Sequence, residues 1–193
     1  MRPASPLLSL DSFSTARLDA ERLTADHWDD LRRMDQDERF MAELGGVRDE
    51  AGTRAYLERN LAHWAARGFG LWMLRDRDTG RVIGRALLRH LDVDGVDEVE
   101  TGYGFLTDVW GRGLATEIAR ACVHIGRERL GLASVVGITL PTNAASQQVM
   151  RKAGLQYERD ILHADRPHLL FRTGYSPTAW PQPGRERWNG SVE

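Results

Sequence analysis

Apolar positions along this chain fall into two alternating rhythms. Helical spacing appears at Trp28, Leu31 and Met34, with Thr24 and Asp26 supplying capping side chains ahead of the run. It returns at Tyr56, Leu57, Leu61 and Trp64, predicting a helix from Asp49 to Ala66 that stops at Gly68. Ile118, Ala121, Cys122 and Ile125 share one side of a third helix, Leu114 to Arg129, and a fourth runs from Asn143 to Ala153 and ends at Gly154. Between them, short apolar or alternating stretches read as strands: Ala16 to Leu23, Leu71 to Leu74, Val82 to Leu91, Glu98 to Leu106, Ser134 to Leu140, Leu155 to Leu162 and His168 to Thr173. Asp76 to Gly80 and Asp92 to Gly95 form the turns of an antiparallel meander. Residues 1–14 read as a loose leader. Residues 174–193, with prolines at 177, 181 and 183, read as a Pro/Gly-rich tail whose Trp180 and Trp188 pack back or mark a contact. The pattern predicts a single α/β (α+β) domain over residues 15–173.

Composition narrows the class. The 193 residues are 41% hydrophobic and 28% charged with a net charge of −2, which suits a soluble globular domain and lacks the basic excess of a nucleic-acid binder. The one cysteine, Cys122, cannot form an internal disulfide and is expected in the core. The opening MRPASPLLSLDSFS lacks the apolar run of a signal peptide, and no stretch reaches membrane-spanning length. The expected protein is cytoplasmic, a monomer or homodimer, with neither membrane nor nucleic acid as partner. Lys152 is the only lysine, so arginine carries nearly all the positive charge.

Chemistry concentrates at Trp110-Gly111-Arg112-Gly113-Leu114-Ala115-Thr116-Glu117, between a strand and a helix. Two glycines let the backbone turn sharply and leave its N–H groups uncovered. The helix adds its own unpaired N–H groups and the positive end of its dipole, which together make a socket for a phosphate or pyrophosphate. An ordinary strand-to-helix turn has the same short sequence, so neighbouring motifs must decide.

Those motifs occur in a recognisable order: TARL at 15–18, HWAARGFGLW at 63–72, DTGRVIGR at 78–85, ETGYGFL at 100–106, WGRGLATE at 110–117 and NAASQQVMRKAGL at 143–155. In this order the chain resembles the GNAT superfamily of acyl-CoA-dependent N-acetyltransferases, and more narrowly its RimJ/RimL-like branch. The resemblance implies a mixed, mostly antiparallel twisted sheet of about six to seven strands flanked by helices, splayed between strands four and five. It implies acetyl-CoA as co-substrate and no metal. In the family's pyrophosphate loop, Gln/Arg-x-x-Gly-x-Gly/Ala, Gly113 and Ala115 match while Trp110 replaces the first polar residue. Main-chain N–H groups from Gly111 to Thr116, Leu114 included, would hold the pyrophosphate. Arg112 either adds a charge-assisted contact or stands in solvent. Backbone groups of Phe105 and Leu106 would pair with the pantetheine arm. An N–H there would face the thioester oxygen, a kind of contact that contributes roughly 3–4 kcal/mol in other acyl transfers.

The same resemblance makes Glu100 the candidate base. Glu98 shares its strand face, and a close carboxylate pair would raise one pKa; the alternative is that both are solvated strand-end charges, and for Glu98 that reading prevails. The position at which many family members carry an acidic tyrosine is Met150, so Ser146 is the candidate donor to the CoA sulfur, with Asn143 bonding the pantetheine or adjacent backbone. As structure alone, Asn143 is a helix N-cap and Ser146 a first-turn polar residue. Tyr103 and Tyr157 are expected to pack, and His163 and His168 to rim a turn. Met150 also keeps alive a non-catalytic acyl-CoA sensor. The acceptor would be a peptide N-terminus or a small-molecule amine. Asp92, Asp94, Asp97 and Glu98 together would draw a cationic one, unless they form only a solvated loop.

Overall fold

The computed structural model describes residues 10–174, so Trp180, Trp188 and most of the expected tail lie outside the described residues. The elements are β1 (Ser12–Ser14), β2 (Leu18–Arg22), α1 (Trp28–Gln36), α2 (Glu38–Met41), α3 (Glu50–Arg67), β3 (Leu71–Asp76), β4 (Val82–Val93), β5 (Val96–Phe105), α4 (Leu114–His124), β6 (Val136–Thr139), α5 (Ala144–Lys152), β7 (Leu155–His163) and β8 (Arg166–Thr173). All strands join one eight-stranded sheet in the order β1-β2-β3-β4-β5-β6-β8-β7. Every neighbouring pair is antiparallel except β5 and β6, which run parallel.

The strand count exceeds expectation because the supposed leader is partly sheet. Phe13 is buried on Trp72 in an edge-to-face contact at 5.3 Å, and Trp72 Nε1 donates to the Leu10 carbonyl at 2.7 Å. An apolar side chain alternating with serines fits a sheet edge, and the edge strand forms where Phe13 finds an aromatic wall. The expected splay between strands four and five is therefore the β5/β6 boundary.

Period-two alternation divides the sheet between two cores. Leu71, Met73 and Leu87 face Leu31, Met34, Phe40, Met41, Tyr56 and Leu57 of α1–α3. Leu74, Ala86, Leu88, Val99 and Phe105 face Leu114, Ile118, Cys122 and Met150 of α4 and α5. Cys122 is fully enclosed, and burial pushes its thiol up to about 12, far from a nucleophile's range.

Helix ends follow the residue types. Asp49 caps α3 by accepting from Gly52 N–H at 2.7 Å, and Gly68 ends it at φ 72°. The β4–β5 turn is tighter than Asp92 to Gly95. Val93 pairs with Val96, leaving Asp94 (φ 53°) and Gly95 (φ 83°) as a two-residue turn of the primed type. Ala164 and Asp165 turn β7 into β8 in the same way, so β8 begins at Arg166, two residues before the expected start. The expected Leu114–Arg129 helix is α-helical to His124 and closes as a π turn over Ile125–Arg129.

Candidate active site

The parallel pair β5/β6 touches at one bridge, Glu100 to Val136, and then parts. Which groups face the resulting gap follows from register. Leu106 N–H donates to the Ile83 carbonyl at 2.9 Å, so Leu106 is turned towards β4. Main-chain groups alternate along a strand, which turns Tyr103 and Phe105 towards the gap. Of the two residues expected to meet the pantetheine arm, Phe105 is the one whose main chain faces the gap, while Leu106 N–H is engaged by Ile83. The Phe105 carbonyl accepts Trp110 Nε1 at 2.7 Å, which occupies one of its lone pairs. Trp110 is otherwise half exposed, with the Arg39 guanidinium 5.7 Å from its ring centre.

Beyond Trp110 the chain passes through Gly111 (φ 74°) and Gly113 (φ 78°) into α4. Both lie in the left-handed region, where a side chain is strained. Gly113 caps α4 without any side-chain bond, so the N–H groups of Leu114, Ala115 and Thr116 lack intrahelical acceptors. The loop is pinned from outside. The Arg17 guanidinium donates to the Arg112 carbonyl at 2.7 Å and to Glu117 at 2.8 Å, and Thr15 Oγ1 donates to Glu117 at 2.6 Å. Burial alone would raise the Glu117 carboxyl, but these hydrogen bonds and the Arg17 charge hold it below the usual range. Arg112 Nη1 reaches Asp76 at 3.2 Å, so its side chain belongs partly to this scaffold.

Across the gap, Asn143 Oδ1 accepts Ser146 N–H at 2.9 Å and caps α5. The Ser146 hydroxyl lies 3.3 Å from the Tyr103 hydroxyl, which also lies 3.3 Å from the Ser146 carbonyl. Burial pushes the Tyr103 phenol up to about 12, against the opposing Ser146 bond. Tyr103 was expected only to pack; its hydroxyl instead joins Ser146 at the gap. Met150 is buried in the core beside Gly137, which explains an apolar residue there. Tyr157 is half exposed and donates to Asp160 at 2.9 Å, away from these groups.

Glu100 lies on the opposite face of β5 from Tyr103 and is only 4% exposed. Its Oε1 accepts Arg89 Nε in a short ion pair; its Oε2 takes no hydrogen bond from any described residue. Burial works against the Arg89 charge, yet the neighbouring Glu100 carboxylate and Tyr56 phenol hold that guanidinium above the ordinary arginine range. Glu98 does share the face but is clasped separately by Arg172, at 2.8 and 3.0 Å. The two carboxylates therefore have separate arginine partners. A readable signal for Arg89 existed: centring the hairpin on Asp94-Gly95 sets it opposite Glu100.

The acidic turn is likewise engaged. Asp94 pairs with Arg159, Asp97 with His90 at 2.8 Å, and Asp92 caps its own turn by accepting Gly95 N–H at 3.1 Å. These partners blunt the field that was expected to draw a cationic acceptor. Beside the turn is an open cavity of about 310 Å³, whose wall includes Arg59 and His63 of α3, Arg89 and Asp92 of β4, and His163.

Residues 17–156 match the acetyltransferase (GNAT) domain family. An FsC-acetyl coenzyme A-N(2)-transacetylase of Aspergillus fumigatus is 31% identical over 156 residues, covering 76% of this chain and 65% of its own length. An acetyltransferase of Agrobacterium tumefaciens superposes with TM-score 0.76 at 26% identity, over 85% of this chain and 94% of its own. A RimL ribosomal L7/L12 alpha-N-protein acetyltransferase, solved with coenzyme A, shares the fold at TM-score 0.66 and 15% identity, over 82% of this chain and 94% of its own. The chain belongs to the GNAT acetyltransferase family, and it is an N-acetyltransferase.

Proposed function

We propose that the protein, a member of the RimJ/RimL-like branch, moves an acetyl group from acetyl-CoA directly to a primary amine while both substrates are bound. The observation that carries this reading is the Glu100 carboxylate, with one oxygen uncommitted, at the bridge where β5 and β6 part. Two relatives are named for transfer to an amine nitrogen, an N(2)-transacetylase and an alpha-N-protein acetyltransferase. No helix among the described residues is long and apolar enough to cross a membrane, and the single buried cysteine suits a cytoplasmic setting.

The residues fit the co-substrate. Uncapped N–H groups from Gly111 to Thr116 receive the pyrophosphate, with Arg112 holding the loop and presenting its remaining donors. Main-chain groups of Tyr103 and Phe105 extend along the pantetheine arm. The amide of Asn143 faces the same gap after its oxygen has fixed the start of α5. Acetyl-CoA, once bound, supplies an acyl carbon activated by a thiolate leaving group. Glu100 Oε2 takes the ammonium proton of the acceptor, directly or through water, so that nitrogen attacks as a free amine. The C–N bond forms, the C–S bond breaks, and the Ser146 hydroxyl, replenished through Tyr103, gives the sulfur its proton. Base and acid occupy opposite faces of β5, as two reactants entering from opposite sides require.

Acetyl-CoA-dependent release of free CoA over a panel of amines and N-terminal peptides tests this reading. Glu100→Gln is expected to lower kcat/KM about 100-fold, within the range typical of a lost general base. Its calorimetric affinity for acetyl-CoA should stay unchanged. A variant keeping full rate from pH 6 to 9 removes Glu100 as the base. Tight acetyl-CoA binding with no turnover on any acceptor favours the sensor instead.

A further inference from the structure

The cavity beside the β4–β5 turn is lined by two guanidinium groups, Arg59 and Arg89, and by one carboxylate, Asp92. Tyr56 of α3 is buried, and three arginines stack on its ring: Arg48 at 4.4 Å, Arg85 at 4.7 Å and Arg59 at 5.5 Å from the centroid. Arg48 and Arg85 converge on one oxygen of Asp35, each at 2.8 Å, in the interior. Arg89, which also senses the Tyr56 phenol, engages Glu100 through Nε alone. Its two terminal nitrogens have no acceptor among the described residues, and Arg89 lines the cavity. Arg59 lines it too and pairs with no carboxylate among the described residues.

Each guanidinium at this wall is a planar fork anchored by one edge or face. Anchoring Arg89 by Nε on Glu100 and Arg59 by the Tyr56 ring fixes both guanidinium planes before any ligand arrives. Less side-chain freedom is then lost on binding. Carboxylate oxygens match such a fork, and a site built to hydrogen-bond one discriminates strongly against a ligand lacking it. Glu100, which holds Arg89 Nε from behind this wall, is the carboxylate assigned to the amine end. The negative charges that would repel an anion at the rim are engaged in the bonds of Asp94 and Asp97 described above. Asp92, the one carboxylate lining the cavity among the described residues, closes its own turn by accepting Gly95 N–H.

We propose that the acceptor carries a carboxylate a few bonds from its amine, and that Arg59 together with the terminal nitrogens of Arg89 receives that carboxylate. This rests on the acetyl-transfer reading above. The shared chemistry is an amine paired with a carboxylate, supplied either by a free amino acid or by an acidic residue at a peptide N-terminus.

The test uses the full chain and acceptors in matched pairs, each acid beside its carboxamide. One arm holds aspartate and glutamate with their side-chain and α-carboxyl amides. The other holds tripeptides starting with Asp or Glu beside those starting with Asn or Gln. The acid members are expected to show kcat/KM at least tenfold higher in one arm, and that arm identifies the source. Arg59→Met should raise KM for the acids at least tenfold, leaving kcat, the carboxamide KM and the acetyl-CoA KM within twofold. Equal kcat/KM for acid and amide in both arms overturns the proposal. Calorimetry of the N-acetylated acids and amides against the enzyme with CoA gives a readout that needs no turnover. A preference for the acids that Arg59→Met abolishes supports the carboxylate site even where no acceptor is acetylated, an outcome that would sink the transfer reading alone. No preference there overturns the carboxylate site.

Discussion

Two helices begin beside the same gap, and they treat their first turns in opposite ways. Asn143 folds its side chain back onto Ser146 N–H, so α5 satisfies itself. Gly113 has no side chain to fold back, so α4 leaves its first N–H groups available. The uncapped end is the one that still offers main-chain donors, and the capped end has given one of its own to its side chain. The difference is one of availability, because both ends carry the same dipole.

The sharpest way to break this contrast is to fill the open end. Gly113→Val places a β-branched residue at φ 78° in the loop. It is expected to weaken acetyl-CoA binding about tenfold or more by calorimetry, with about 1–2 kcal/mol of lost stability from the strained backbone. An unchanged dissociation constant would show that the loop N–H groups do not hold the pyrophosphate. The reverse manipulation is gentler. Asn143→Ala removes a side-chain cap and should cost about 1 kcal/mol in urea unfolding. Asn143→Asp keeps the accepting oxygen and should retain most of that stability. Loss of acetyl-CoA affinity in both variants, with stability lost only in the Ala variant, would assign the amide to the cofactor.

A second side chain that satisfies a main-chain N–H, that of His63, makes the smallest prediction, and it titrates. His63 Nδ1–H donates to the Phe69 carbonyl at 2.9 Å while Nε2 accepts His90 N–H at 3.2 Å, which requires the neutral ring. Burial, aided by the charges of His90, Arg67 and Arg89, outweighs the Phe69 bond and holds the imidazole below its ordinary range. The unfolded chain therefore takes the proton first. The stabilisation is complete above about pH 6.5 and declines as pH falls towards the lowered folded value. Urea midpoints between pH 8 and 5 should show this decline in the wild type and a flatter profile in His63→Gln. Parallel profiles would mean the ring titrates alike in both states.

Much of this was readable from local signals. The glycine turn, the Asn143 cap and the helix stop at Gly68 depend on residues within a few positions of one another, so sequence order carries them. The partners of the acidic residues were not readable in that way. Glu98 is held by Arg172 and Asp94 by Arg159, contacts set by how β8 and β7 lie in the finished sheet. A charge cluster counted along the chain thus overstated its own field. Phe13 was missed for a related reason: two serines flank it, and only Trp72, far along the chain, gives its ring a surface. Tyr56 sits on an apolar helical stripe, and nothing in that spacing announces the arginines arriving from other elements. Arg89 is the instructive intermediate case, since the turn residues alone fix what it faces.

The staple between the β1–β2 turn and the loop before α4 has a consequence in time. Thr15 reaches Glu117 across 102 positions, and Arg17 reaches the Arg112 carbonyl across 95. Contacts so distant in sequence close late, because the entropy of a long loop is lost before the contact repays it. During synthesis the loop stays unbraced until the fourth helix has emerged and the amino-terminal edge has docked. The shape of the loop is thereby set by the docked sheet edge and not by the loop alone.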